Sequence, residues 1–224
     1  MIIKLAHRKY ILVSVVIIML TSLPLAIAYD KKYLRNVIEA VSKSYGSRAV
    51  RRFEKWCELI ESNMGERELK KLTIVNDFIN RAKRKSDAAN YGQSDYWSTP
   101  LELLGRNRGD CEDFSIAKYF TLKMMNVSTN KLRIAYVAAL ELRQAHVVLA
   151  YYKTPNSDPL ILDSLKPQVL PASLRPDLKY IYSFNSEFIW MSKSRGKDLQ
   201  VNMSGRFKKW SELMSKMRQE MAQR

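Results

Sequence analysis

The stretch Gly109-Asp110-Cys111-Glu112-Asp113-Phe114 places one thiol among three carboxylates. A cysteine becomes a strong nucleophile once it is a thiolate. Negative charge beside it opposes that ionisation, so the acids need a reason of their own. Thiol chemistry also needs an imidazole to take the proton and a carboxylate to fix the imidazole's tautomer. His146 stands in the run HVVLAYY, and Asp163 ends the run PLILD. If Cys111 opens a helix, the helix N-terminus adds partial positive charge that favours thiolate. The Cys111 backbone N–H would then serve an oxyanion. Spacing alone fits a cysteine hydrolase or an acyltransferase. Each residue also has a purely structural use: a core thiol, a satisfied strand histidine, a turn cap.

The elements that must position these groups are legible in outline. From Asp30 to about Lys85 the pattern is helical. Leu34, Val37, Ile38 and Val41 form one apolar stripe; Phe53, Trp56, Leu59 and Ile60 form another; Leu69, Leu72, Val75, Phe78 and Ile79 form a third, with Gly46 and Gly65 as punctuation. Residues 86–95 are polar and read as a loop. Thr99-Pro100 is a helix start, and Arg106–Asp110 reads as a turn. CEDFSIAKYFTLKMM then predicts a helix opening at Cys111, with Ile116, Ala117, Phe120 and Met124 on its inner face. Asp110 is suited to N-cap it, with Asp113 completing a capping-box-like pair. After Asn130 the composition becomes β-branched and aromatic. KLRIAYVAAL, HVVLAYY, PLILDSL, KYIYSF and EFIWMS predict an antiparallel sheet in which neighbouring strands bring His146 beside Asp163. From Gly205 to Arg224, Phe207, Trp210, Leu213, Met214 and Met217 share one face of an amphipathic helix, expected to dock on the body.

The 224 residues are expected to form one domain, residues 29–224, after a leader over residues 1–28. Within it, about 30–90 is the helical part, 91–192 the catalytic core and 205–222 the C-terminal helix. Lys4, Arg8 and Lys9, the apolar run Ile11–Leu23 and Ala26-Ile27-Ala28 have the layout of a secretory signal cut before Tyr29. An uncleaved inner-membrane anchor is the alternative. Losing those three cations lowers the formal charge from +16 to +13, a balance that suits anionic surfaces. Cys57, in a helical apolar stripe, reads as a buried small hydrophobe, so both cysteines are expected as free thiols. His146 is the one histidine beyond the leader, too little nitrogen and sulfur for zinc.

Five ordered blocks carry a resemblance: WSTP from Trp97, GDCEDFSIAKYFTL from Gly109, AHVVLAYY from Ala145, PLILD from Pro159 and YSFN from Tyr182. Together they resemble the bacterial transglutaminase-like cysteine proteinases, whose best-known members are LapG-type periplasmic proteases. The resemblance runs from about Asp95 to Trp190. It implies an α+β, papain/transglutaminase-like fold, with a helical N-terminal part and the nucleophile helix packed on an antiparallel sheet. It also implies a Cys111–His146–Asp163 triad and calcium dependence through the flanking acids.

The implied substrate is a large secreted adhesin, cut near a di-alanine site in its N-terminal region so that the cell leaves its biofilm. The implied partner is an inner-membrane cyclic-di-GMP receptor of LapD type, acting through its periplasmic domain. Nucleic acid is not an expected partner, nor is stable membrane insertion after signal cleavage. Asp110, Glu112 and Asp113 are the expected calcium ligands, with Asp113 shared with the capping role. Three carboxylates around one thiol repel one another and raise its pKa, and a bound Ca²⁺ would offset that charge. Two other readings stand beside this one. A transglutaminase-like acyltransferase would use the same three residue types. A non-catalytic basic exported protein would bind anionic surfaces.

Overall fold

A computed structural model of the protein describes residues 35–185, 189–191 and 203–222. The leader expected over residues 1–28 lies outside them. Among the described residues no helix is long and apolar enough to cross a membrane.

Helix α1 (residues 35–45) ends at Gly46, whose φ of 78° turns the chain directly into α2 (Ser47–Asn63). Helix α2 buries Ala49, Phe53, Trp56 and Ile60; of the expected stripe, Leu59 is only partly buried. Helix α3 (Glu68–Ile79) buries Leu72, Val75 and Ile79, but Leu69 is 59% exposed. Residues 86–95 depart from the expected loop. They contain α4 (Asp87–Tyr91), closed by Gly92 at φ 70° with its N–H bonded to Ala88 O. Helix α5 (Pro100–Arg106) starts with a complete capping box between Thr99 and Glu102.

The turn expected over Arg106–Asp110 is built differently. Asn107 stops α5 at φ 54°. Strand β2 (Arg108–Gly109) then pairs in parallel with β1 (Lys83–Arg84). This short ladder fixes the approach to Cys111 against the end of the helical part.

Helix α6 (Cys111–Met124) lies between α3 and α5 on one side and the sheet on the other. Every residue from Asp113 to Leu122 is buried, so it has no polar face. Met124, expected inside, is 45% exposed at its far end. The sheet comprises β3 (Leu132–Ala139), β4 (Gln144–Tyr151), β5 (Leu160–Leu162), β6 (Leu170–Pro171), β7 (Leu178–Phe184) and β8 (Ile189–Met191), in the order β6-β5-β4-β3-β7-β8. All neighbours are antiparallel. Alternation divides the strands between two clusters. Ile134, Tyr136, Val147 and Leu149 join the main core with α6, while Ala135, Val137, Val148, Ala150 and Ile161 form a smaller cluster.

Helix α7 (Met203–Ala222) is docked on the body, as its stripe predicts. Leu213 is fully buried, and the Trp210 ring meets Tyr119, Phe120 and Phe184 at centroid distances of 5.6–5.7 Å. Lys216 Nζ donates to Trp97 O at 2.5 Å, and Thr99 Oγ1 donates to Glu220 Oε1 at 2.6 Å. The Phe207 side chain lies outside the described part. Cys57 is half-buried, and both cysteines are free.

Candidate active site

The position of Cys111 is set by its own helix cap. Asp110 is the N-cap of α6; its Oδ1 accepts from Asp113 N at 3.4 Å, and Asp113 Oδ2 accepts from Asp110 N at 3.3 Å. Cys111 is therefore the first helical residue. Asp113 Oδ1 also accepts from Ser98 N at 2.8 Å, tying the WSTP segment to the same turn. Gly109 is required by close approach: a Cβ there would lie 2.6 Å from Asp113 Oδ2 and 2.8 Å from Leu103 Cδ1.

Strand β5 pairs with β4 only opposite Leu149–Tyr151, so the β4 main chain at Val147 has no β5 partner. The first turns of α6 occupy that position. Ser115 Oγ donates to Val147 O at 3.2 Å and to Cys111 O at 2.9 Å, and the Val147 N–H reaches the Cys111 sulfur. The thiol thus lies against the residue that follows His146.

His146 is the third residue of β4 and is 1% exposed; Asp163 immediately follows β5 and is fully buried. Their expected adjacency is present, with His146 Nε2 2.7 Å from Asp163 Oδ1. Asp163 Oδ1 also accepts from Leu165 N at 2.9 Å, and Oδ2 accepts from Arg175 Nη2 at 2.7 Å. Asn80 Nδ2 holds the Asp163 carbonyl at 2.8 Å. Burial alone would raise the Asp163 pKa. The bonds from His146, Leu165 and Arg175 win, and hold the carboxyl well below the usual range. With Nε2 committed to Asp163, Nδ1 is the imidazole nitrogen left for proton exchange.

Around Cys111 the balance runs the other way. Its thiol donates to Glu112 Oε2 at 2.9 Å; burial first, then Glu112 and Asp110, push its pKa far up, against the single opposing Val147 N–H. Glu112 Oε1 accepts from Tyr136 Oη at 3.3 Å. Asp110 is pushed up to about 9 by burial and by Glu112, Asp113 and Asp87, while Asp113 is pushed up to about 7, chiefly by burial.

Asp87, Asp110 and Asp113 bring carboxylate oxygens within 4.8 Å of one another. Asp87 Oδ2 accepts from Tyr96 N at 2.5 Å, but Oδ1 is buried with no hydrogen-bond partner. An all-oxygen cluster with an orphaned buried oxygen suits a hard cation. Of the expected ligands, Asp110 and Asp113 meet in this cluster. The Glu112 carboxylate is instead turned to the thiol and Tyr136.

Asp87 and Arg175 are site residues that the sequence did not single out. The signal for Asp87 was the helix grammar of SDAANYG, a serine before an acid and a glycine stop. Arg175 carries no local signal at all.

Residues 52–193 match the family described as bacterial transglutaminase-like cysteine proteinase BTLCP. Among solved structures the chain is similar to Legionella pneumophila LapG, at 41% identity and a TM-score of 0.69, over 82% of this chain and 97% of that one. A calcium-bound form of that protein matches at 44% identity and a TM-score of 0.68, over 80% and 97%. An EGTA-treated form matches at 41% and 0.69, over 82% and 97%. No protein of curated function gives a significant match. With a family match over residues 52–193 and solved structures more than 40% identical over about four fifths of its length, the chain belongs to the bacterial transglutaminase-like cysteine proteinases.

Proposed function

We propose that this protein is a calcium-dependent periplasmic cysteine endopeptidase. Its substrate would be a large cell-surface adhesin, cut near a di-alanine site in the N-terminal region so that the adhesin is released and the biofilm disperses. The observation that carries the chemistry is the buried 2.7 Å bond between His146 and Asp163, beside a cysteine at the start of a 14-residue helix. Cys111 is the nucleophile. His146 takes the thiol proton through Nδ1 and later delivers it to the leaving amine. Asp163 fixes the tautomer and stabilises the imidazolium. The Cys111 backbone N–H, unpaired within its own helix as a first-turn donor, faces the oxyanion, a contribution of about 3 kcal/mol per donor.

Asp87, Asp110 and Asp113 are the residues that would hold calcium; Glu112, from the same turn, would have to leave the thiol and Tyr136 to join them. Bound calcium supplies counter-charge to carboxylates that otherwise retain protons. Calcium-bound and EGTA-treated forms of the Legionella protein support this reading. The adhesin, the periplasmic location and control by an inner-membrane cyclic-di-GMP receptor of LapD type are carried by the family resemblance.

The test is to incubate protein lacking residues 1–28 with an exported adhesin fragment bearing a di-alanine site, in calcium and then in chelator. Cleavage in calcium that is lost with chelator and in Cys111→Ala is expected. Wild-type protein in calcium that cleaves no better than Cys111→Ala would overturn the reading. Transfer of a primary amine to the fragment, without cleavage, would assign an acyltransferase instead.

A further inference from the structure

Helix α7 reaches the acidic cluster through one short segment of main chain. Residues 95–98 lie in neither a helix nor a strand, and they are held from two sides in alternation. Tyr96 N donates to Asp87 Oδ2 at 2.5 Å, and Ser98 N donates to Asp113 Oδ1 at 2.8 Å. The residues between and before them turn the other way: Trp97 O accepts from Lys216 Nζ at 2.5 Å, and Asp95 O accepts from Lys209 Nζ. Extended backbone points the hydrogen-bonding groups of successive residues to opposite sides. The even-numbered residues thus hold two of the three clustered aspartates, and the odd-numbered ones are held by α7.

The two lysines are placed for this on a fixed support. They stand seven residues apart, which puts them on one face of the helix. Between them Leu213 is fully buried, and Trp210 packs its ring on Tyr119, Phe120 and Phe184. Lys216 Nζ also lies 3.8 Å from the centroid of the Tyr96 ring and 3.3 Å from Glu102 Oε2, and Lys209 Nζ lies 3.3 Å from Asp95 Oδ1.

We propose that Lys216 and Lys209 are positioning residues for the calcium site: they hold segment 95–98 so that its N–H groups keep Asp87 and Asp113 converged, and calcium binding is thereby coupled to the docking of α7. The inference rests on reading Asp87, Asp110 and Asp113 as that site. Carboxylates at this separation repel one another, and donors fixed on a rigid main chain hold them together before the ion arrives. Two opposite effects meet in each lysine. As a positive charge near the cluster it opposes a dication; as a clamp on the segment it favours one. The coupling assigns the larger effect to the clamp. It also requires reciprocity: if α7 docking tightens calcium binding, calcium must tighten α7 docking.

The experiment pairs calorimetric calcium titration of the intact protein with hydrogen exchange of the α7 amides in calcium and in chelator. Lys216→Met, which keeps an unbranched stem over Tyr96, is expected to weaken calcium binding about tenfold, the lower end of what outer partners of a metal site contribute. Lys209→Met should show a smaller loss, and Lys216→Arg, which keeps donor and charge, should retain most of the affinity. Loss of charge alone would tighten binding, so the sign of the change separates the two effects. In the wild-type protein calcium should slow exchange along α7. Equal or tighter calcium binding in both Met variants overturns the positioning role, and so does an Arg variant as weak as Lys216→Met. Calcium binding that leaves α7 exchange unchanged overturns the coupling. A wild-type protein that binds no calcium overturns the calcium reading itself, a result distinct from these because it appears before any variant is made.

Discussion

The aspartate paired with His146 and the aspartates on either side of Cys111 are held in opposite states. Asp163 receives N–H groups from His146, Leu165 and Arg175, and its charge is favoured in spite of burial. Asp110 and Asp113 receive backbone N–H groups from each other's cap and from Ser98, but their nearest charged company is more carboxylate, so both are driven toward protonation. Burial is common to both places. The sign of the neighbouring charge decides the outcome. One aspartate is built to be an anion at every working pH, and the others are built to want a cation.

The largest effect should come from reversing the first set. Asp163→Asn keeps the shape but offers the imidazole an amide, and in a triad this lowers kcat by about 10⁴-fold with little change in fold. Steady-state cleavage of the adhesin fragment measures it; a loss below about tenfold would reduce Asp163 to a structural partner of Arg175. Arg175→Met should come next. It leaves Asp163 and Asp177 without their shared cation, which destabilises by about 3–5 kcal/mol, read from urea unfolding.

The difference between the two sets also marks what could be read from residues alone. Cys111, His146 and Asp163 were legible because each terminates or opens a periodic run: a capped helix start, a β-branched strand, a PLILD strand end. The strand neighbours then follow from antiparallel order. Arg175 was not legible, because it lies in the polar turn ASLRPD and reads as solvated until β5 and β6 close the chain over it. Asp87 was hidden by the polar composition around it, though its helix has ordinary stop and start residues. Helix α6 gave a periodic inner face in sequence, yet it is enclosed on all sides, and Lys118 in its middle is fully buried with no hydrogen-bond partner, its pKa lowered to about 7 by burial. Periodicity reports which side faces one core; it does not report a second layer arriving from elsewhere in the chain.

Asp110→Asn separates the cap from the charge. Asparagine caps a helix as well as aspartate does, so the start of α6 should survive while one crowded acid is removed. In chelator the variant is expected to be more stable than wild type by about 1–2 kcal/mol, roughly 2–8 °C in Tm. In calcium the order should reverse, because wild type gains the binding energy and the variant loses a ligand. Calorimetric titration and paired melts check both halves; equal calcium affinity in the two proteins would move the metal elsewhere.

A further, partly buried carboxylate tests the comparison away from the site. Glu220, near the end of α7, accepts one hydroxyl hydrogen bond from Thr99 Oγ1 at 2.6 Å and is pushed up to about 7, first by burial, with Glu102 adding to the rise and Lys216 opposing it. It has a donor, as Asp163 has, but no tightly bound cation to match its charge. A carboxyl whose folded pKa is raised holds its proton where the unfolded chain has lost it. Its contribution to stability is therefore complete below about pH 4.5 and is lost as pH rises toward about 7, after which the curve is flat. The expected loss over that window is about 1 kcal/mol, since the last turn of α7 can relax toward water on ionisation. Glu220→Gln should remove this slope and leave cleavage activity unchanged. If melts of the Gln variant between pH 4.5 and 8 keep the wild-type slope, burial at Glu220 is too shallow to matter, and the contrast between Asp163 and the Asp110 cluster is confined to the fully enclosed end of α6.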